Sequence, residues 1–182
     1  MNRLLLCFAF FLVCLSVCSQ VNYDSFVGTW VYQKNDTVFK IKLQKGKMSH
    51  DDDVTLFGGY SLSVCGVVTD NYIGGAIPSV WDVYNPAPSK NIYIVVYYND
   101  QFPTRQGFMF YDQRKKHLNG EGIGGGKIEL IAPNKIHWTL NESKGLWHYL
   151  EGEPIEGEGL PTIEEAIQGF SVPTDVIMIK EE

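Results

Sequence analysis

The alternation of apolar and polar side chains is the dominant pattern of this sequence. Apolar side chains alternate with polar ones at Phe39, Ile41 and Leu43 of "TVFKIKLQK", residues 37–45, and at Ile136, Trp138 and Leu140 of "KIHWTL", residues 135–140. A period of two places the apolar side chains on one face of a half-buried strand and the polar ones on the other. Trp138 is therefore predicted to face a core, and His137 to lie on the solvent side.

Turn residues divide the chain into about eight such strands. "KND" separates "GTWVYQ" from "TVFKIKLQK", and "PN" separates "KIELIA" from "KIHWTL", so both pairs are predicted to be hairpins. Further segments rich in β-branched and aromatic residues follow the same pattern, and the chain closes with "DVIMIK". We predict an all-β domain, a single antiparallel up-and-down barrel. One short helix is predicted at 163–168, because Thr162 and Glu165 have capping-box spacing.

The first nineteen residues have the features of a secretory signal peptide. Arg3 precedes an apolar run that ends near Val17, and the small Ser19 follows. The run is shorter than the roughly 20 residues that a membrane-spanning helix needs. We predict cleavage after residue 19, a single domain over 20–182, no membrane span, and a location in the periplasm, at the cell surface or outside the cell. Lipid attachment at Cys18 is the alternative.

Net charge and cysteine content restrict which partners and which covalent links are expected. The formal net charge is −6, which disfavours nucleic acid because binding to phosphates needs a basic surface. Beyond the leader only Cys65 remains, so no internal disulfide is possible. Its apolar neighbours predict a buried, inert thiol.

Segments that resemble catalytic or cofactor-binding motifs lack the neighbouring elements or the spacing that those motifs require. The glycines of "GEGIGGGK", residues 120–127, lead into a strand, whereas a dinucleotide site must open a helix. The four histidines lack zinc-site spacing, and the G-x-S-x-G elbow of serine hydrolases is missing. We expect no metal, no cofactor and no enzymatic activity.

"FVGTW", residues 26–30, resembles the G-x-W that opens the first strand of lipocalins and related calycin barrels. The resemblance implies an eight-stranded barrel that binds small apolar ligands, with Gly28 and Trp30 as structural anchors at its closed end. Lipocalins also pack a basic residue of the last strand on this Trp. "DVIMIKEE" has no arginine, and Lys180 is the only substitute, so closure of the barrel is not predicted.

A second resemblance spans most of the chain. "FVGTWVYQKNDTVFKIKLQK", "HWTLNESKGLW" and "GFSVPTDVIMIK" are similar to an uncharacterised family of small secreted proteins from Gram-negative bacteria. This resemblance implies export and carries no activity.

The leading functional hypothesis is a lipocalin-like binder of a small apolar molecule or a hydrophobic peptide, because aromatic side chains suit an apolar pocket. A solid-core interaction module at the cell surface, which acts through loops 74–90 and 151–162, is the alternative, and a hydrolase is the third. The loop aromatics would be Trp81 and Tyr84. The predicted ligand-lining residues are Tyr93, Tyr97, Phe108, Phe110 and Trp138.

Overall fold

A computed structural model describes residues 23–49, 54–81, 91–97, 99, 101–117, 122–141 and 169–182. These residues form ten β-strands, preceded by a single 3₁₀ turn at Tyr23–Ser25. The strands are β1 (Gly28–Lys34), β2 (Thr37–Met48), β3 (Val54–Val64), β4 (Val67–Asn71), β5 (Val80–Trp81), β6 (Ile94–Tyr97), β7 (Arg105–Phe110), β8 (Ile123–Ala132), β9 (Lys135–Thr139) and β10 (Asp175–Lys180).

Eight of these strands make a closed antiparallel wall. The order is β1, β2, β3, β6, β7, β8, β9 and β10, and each strand pairs with the next one. Pairing of Trp30 with Lys180 and of Val31 with Ile179 joins β10 back to β1. The predicted all-β, up-and-down barrel is confirmed, and the structure adds that the barrel closes.

Two strands lie outside the wall. β4 pairs with the end of β3, with an irregularity after Leu62. β5 runs parallel to the end of β2, where Lys47 pairs with Val80. β5 pairs with the part of β2 that extends past β1, and β4 pairs with the part of β3 that extends past β6. The two strands therefore cover strand edges that would otherwise be open.

The barrel interior holds large aromatic side chains that contact one another. Trp138 stacks on Phe108 with ring centroids 4.2 Å apart, and meets Phe39 at 5.6 Å and Phe110 at 5.8 Å, edge to face. All four side chains are at most 1% exposed. The alternation that predicted inward-facing residues in β2, in β9 and just after β9 is confirmed, because these residues are all buried: Phe39, Ile41, Leu43, Ile136, Trp138 and Leu140.

A second apolar cluster lies on the outer face of the wall. Phe57 and Val95 point outwards from β3 and β6, and the segment that ends in β5 covers them with Ile77 and Trp81. Gln44 fixes this segment by donating a hydrogen bond from Nε2 to the carbonyl oxygen of Ile77 at 2.8 Å. The barrel wall is thus buried on both faces here.

Hairpin turns agree with the sequence at two places and differ at one. Asn35–Asp36 joins β1 to β2, and Pro133–Asn134 joins β8 to β9, as predicted. The prediction of a buried Cys65 was wrong. Cys65 and Gly66 form the β3–β4 turn with positive φ angles of 52° and 76°, and the thiol is exposed. The apolar residues on either side of Cys65 resemble the interior of a strand, but the chain reverses direction at this position.

The predicted leader (1–19) and the predicted helix (163–168) lie outside the described residues. Among the residues that the structure describes, no helix is long and apolar enough to span a membrane.

Candidate functional site

The two ends of the barrel differ in chemistry. At the Trp30 end, where β1 begins and β10 ends, Trp30 is fully buried and its Nε1 donates a hydrogen bond to the carbonyl oxygen of Phe26 at 2.8 Å. Lys180 Nζ lies 5.3 Å from the centre of the Trp30 ring, within cation–π range. Gly28 has φ +127°, and a Cβ there would lie 2.9 Å from Lys180 Cε. Lys180 therefore occupies the place that lipocalins give to a basic residue.

Tyrosines dominate the opposite end, where β3 and β7 end and β6 begins; we call it the Tyr60 end. Tyr60 is fully buried, and its ring centroid lies 5.0 Å from that of Tyr72, 6.2 Å from that of Tyr93 and 4.9 Å from that of Phe110. Phe170 contacts Phe110 at 6.1 Å. Tyr72, Tyr93 and Phe170 are only partly buried, so they form a partly exposed rim around Tyr60 and Phe110.

The predicted ligand-lining residues are divided among three places. Phe108, Phe110 and Trp138 lie in the interior and pack on one another. Tyr93 lies on the rim of the Tyr60 end. Tyr97 is 42% exposed on the outer face, where its hydroxyl lies 3.6 Å from Met109 Sδ. The period-two pattern of β6 explains this placement, because Val96 faces inwards and its neighbour must face outwards.

The predicted loop aromatics are not at the Tyr60 end. Trp81 is buried in the outer cluster, edge to face with Phe57 at 6.1 Å. Tyr84 lies outside the described residues. His137 is on the outer face of β9, with Nε2 2.5 Å from Asp175 Oδ1.

Asp112 holds two segments together at the Tyr60 end. Its Oδ1 accepts hydrogen bonds from the backbone N–H groups of Arg114 and Lys115 at 3.1 and 3.0 Å. Ser171 donates from its backbone N–H to Oδ2 at 2.6 Å and from its hydroxyl to Oδ1 at 2.7 Å. A buried carboxylate with four donors is well satisfied, so Asp112 fixes the β7–β8 loop and positions the neighbouring Phe170.

Asp70 is the second buried carboxylate of this end, and no sequence pattern predicted it. It pairs across the sheet with Leu62, whose side chain faces the interior, and its own side chain is 0% exposed. Thr69 donates its hydroxyl to Oδ2 at 2.9 Å, and Arg114 Nη1 lies 3.6 Å from the same oxygen. Oδ1 has no hydrogen-bond partner among the described residues.

His117 is buried beside the rim. Its Nε2 lies 2.9 Å from the carbonyl oxygen of Gly169, and its ring contacts Phe170 with centroids 5.1 Å apart. Nδ1 has no partner in the described part of the chain. The Tyr60 end thus combines aromatic surface with a carboxylate oxygen and an imidazole nitrogen that have no hydrogen-bond partner among the residues that the structure describes.

Burial raises the pKa values of the tyrosines at this end. Desolvation raises the pKa of Tyr60 far above its usual value, because the phenolate would lose its water, and the charges of Asp112 and Asp70 add to the effect. A hydrogen bond from the backbone N–H of Gln113 to the Tyr60 hydroxyl, 2.9 Å long, opposes it. Desolvation also raises the pKa of Tyr72 and of Tyr93.

The raised pKa of Tyr60 predicts a loss of stability in alkali. Above about pH 10 an unfolded tyrosine releases its proton, whereas folded Tyr60 retains it. The unfolded chain then binds fewer protons, so the free energy of unfolding falls by about 1.4 kcal/mol per pH unit for this group. Urea unfolding at increasing pH should show a shallower fall for Tyr60→Phe than for the wild type. Tyr97→Phe, which removes an exposed hydroxyl, should leave the slope unchanged; equal slopes in all three proteins would contradict the assignment.

The arrangement suits binding by contact and hydrogen bonding. Among the described residues no group of three or more His, Cys, Asp or Glu side chains is placed to hold a metal ion. Aromatic faces with a few polar tips are typical of sites for small molecules.

Comparison with known proteins identifies one relationship. Residues 1–181 match a protein family described as a family of unknown function (DUF6705). No curated protein and no solved structure matches significantly.

Proposed function

The chain belongs to this family of unknown function, from which no activity can be carried over, and we propose from the geometry that it is an exported, non-enzymatic binding protein. Its ligand is a small, largely apolar molecule or the hydrophobic side chain of a peptide. The ligand binds at the Tyr60 end, on the rim of Tyr72, Tyr93 and Phe170. Export rests on the leader pattern of residues 1–19, and sequencing the N-terminus of the mature protein tests it.

The observation that carries the proposal is the partly exposed rim itself. Tyr72 and Tyr93 contact each other with ring centroids 4.8 Å apart and share Tyr60 beneath them. Rigid aromatic side chains offer large contact area at a small cost in conformational entropy, and tyrosine adds a polar tip. An apolar molecule on this rim gains burial on a surface that is already fixed.

Contacts in the interior favour a shallow site over a deep one. Phe108, Phe110, Phe39 and Trp138 occupy the interior with direct ring contacts, so a ligand there would have to displace close-packed side chains. The Trp30 end is closed by Trp30, Phe26 and Lys180. The Tyr60 end keeps aromatic surface in contact with solvent.

An interaction module is the second candidate, and the β3–β4 hairpin favours it. Val67 and Val68 are 64% and 62% exposed on β4, which pairs only with β3 among the described strands. An open strand edge with exposed β-branched residues is a surface on which another chain can pair. In this case the partner would be a protein.

The rim can be tested with 2-phenylethanol, a neutral aromatic probe, by chemical-shift titration of the tyrosine rings. Binding should perturb Tyr72 and Tyr93 first. Tyr72→Ala should weaken binding about tenfold or more, since it removes one of the contacting aromatic faces. Tyr97→Ala removes an exposed tyrosine from the outer face and should leave the affinity unchanged.

Native mass spectrometry of the protein purified from its own host gives an independent measurement. A co-purified small molecule that Tyr72→Ala releases and Tyr97→Ala retains would support the rim site. The rim site would be contradicted if both variants lost the co-purified molecule equally. It would also be contradicted if 2-phenylethanol shifted the resonances of outer-face residues as much as those of Tyr72 and Tyr93. Recovery of a bound protein that Val67→Lys releases would favour the interaction module.

A further inference from the structure

Asp70 is the most unusual polar group at the Tyr60 end. Its carboxylate is wholly removed from solvent, yet within the described part of the chain only Oδ2 has partners, Thr69 and Arg114. A buried acceptor without a hydrogen bond is destabilising, and more so when it is charged. Asp112, equally buried in the same region, shows that the fold can satisfy a carboxylate fully.

The position of Oδ1 indicates what kind of ligand group it could bind. Asp70 sits on β4 and faces the interior beside Tyr60 and Tyr72, whose pKa values its charge helps to raise. Arg114 is the cation nearest to Asp70 in the described structure, and it touches only the other oxygen, at 3.6 Å, with a side chain that is 53% exposed. This guanidinium can swing into solvent without disturbing a core contact. Its departure would leave Asp70 in need of a cation.

We propose that the Tyr60 end selects an amine: the protonated amino group of the ligand donates a hydrogen bond to Asp70 Oδ1, while the apolar body packs on Tyr72 and Tyr93. The inference rests on the proposed function and names the class of its ligand, a small primary amine with an aromatic or aliphatic body. Charge-assisted hydrogen bonds to a desolvated carboxylate are among the strong ones in proteins.

The local field agrees with a cationic ligand. After desolvation, the negative charges of Asp70 and Asp112 help to raise the pKa of Tyr72, and the positive charge of Arg114 opposes them with a smaller effect. Tyrosine faces also attract cations, which adds to the preference over a neutral group. The neighbouring Lys115 and Lys116 would favour an anion instead, so the sign of the ligand's charge is the decisive measurement.

Three probes of one shape separate these possibilities in the wild-type protein at neutral pH: 2-phenylethylamine, 2-phenylethanol and 3-phenylpropionate. Calorimetry or ring chemical shifts should show the amine binding about tenfold or more tightly than the alcohol, and the propionate most weakly. This comparison needs no variant and is therefore independent of any effect on folding.

Variants then assign the preference to Asp70. Asp70→Asn should reduce amine binding to the level of the alcohol. Arg114→Ala should strengthen amine binding severalfold, because it removes the competing cation. Asp175→Asn is the matched control: it changes the net charge equally at a carboxylate that is 76% exposed on β10.

Each outcome decides a separate point. If the amine and the alcohol bind equally, or if Asp70→Asn retains the preference, the selection of an amine is overturned while the rim site stands; Oδ1 then holds an ordered water only. If the propionate binds most tightly and Arg114→Ala abolishes that binding, the selection of an amine is overturned, and the ligand is an anion. Failure of all three probes to bind would overturn the proposed function itself.

Discussion

Trp138→Ala is expected to lower the free energy of unfolding by about 3–5 kcal/mol. The indole is fully buried, stacks on Phe108 at 4.2 Å and meets Phe39 and Phe110 edge to face. Its removal leaves a cavity that three facing aromatic rings cannot fill without leaving their own contacts. Chemical denaturation measures the loss directly. Because a domain of this kind has about 5–15 kcal/mol of stability, the variant should be close to unfolding at physiological temperature.

Trp138→Phe separates packing from hydrogen bonding at the same position. It retains an aromatic face but removes the Nε1 donor, which bonds to the carbonyl oxygen of Pro173 at 3.0 Å. A loss of about 1–3 kcal/mol is expected, since the partly buried carbonyl of Pro173 is left without this donor. A Trp138→Ala protein as stable as Trp138→Phe would show that the interior is not packed around this side chain.

Gly59→Ala is expected to cost about 3 kcal/mol or more, although it adds a single carbon atom. A Cβ at this position would lie 1.9 Å from the carbonyl oxygen of Tyr72 and 3.4 Å from the Cα of Ile73, so backbone and not a flexible side chain must move. The same movement would break the hydrogen bond from the backbone N–H of Tyr72 to the carbonyl oxygen of Tyr60, 2.7 Å long. The variant should therefore lose the rim as well as stability.

Gly124→Ala provides the matched comparison. A Cβ on Gly124 would meet nothing within 4 Å, so its stability should change by less than about 0.5 kcal/mol. Binding of 2-phenylethanol should follow the same division, weakened in Gly59→Ala and retained in Gly124→Ala. Equal stability of the two variants would rule out the close approach of Tyr72 to β3.

The strands were predictable because their signal is local. Apolar side chains at every second position mark Phe39, Ile41 and Leu43 as one face of β2 wherever that strand lies in the fold. Hairpins followed from turn residues between two such runs, as at Pro133–Asn134. Sequential pairing of neighbouring strands then favoured an up-and-down order.

Closure and the outer strands were not predictable, since they depend on which edges meet. The periodicity near Lys180 does not indicate that it pairs with Trp30, 150 residues away in the chain numbering, and only the resemblance to lipocalins singled out Lys180 as a candidate. The turn at Cys65–Gly66 has no polar residue to announce it, and the apolar flanks suggested a continuous strand. β5 pairs with β2 over two residues, too short a run for any periodicity to show.

The residues of the candidate site could be anticipated only in part, for the same reason. Aromatic composition singled out Tyr93 and Phe110, which do meet at Tyr60 through shared contacts. Asp70 was missed because "VVTDNY" looks like the polar end of a strand, and an aspartate there usually faces solvent. Only the pairing of β4 with β3 turns its carboxylate towards the interior.

Closure through β10 has a consequence for how the protein folds. β1 is among the first described segments to be synthesised and β10 is the last described strand, so the wall is completed by a contact of very long sequence separation. Contacts of this kind slow folding, because a large loop must close before they form. While the ribosome still holds residues 175–180, β1 and β9 both present open edges. The nascent chain is exposed to wrong pairing during that interval, and a chaperone that shields strand edges should raise its yield.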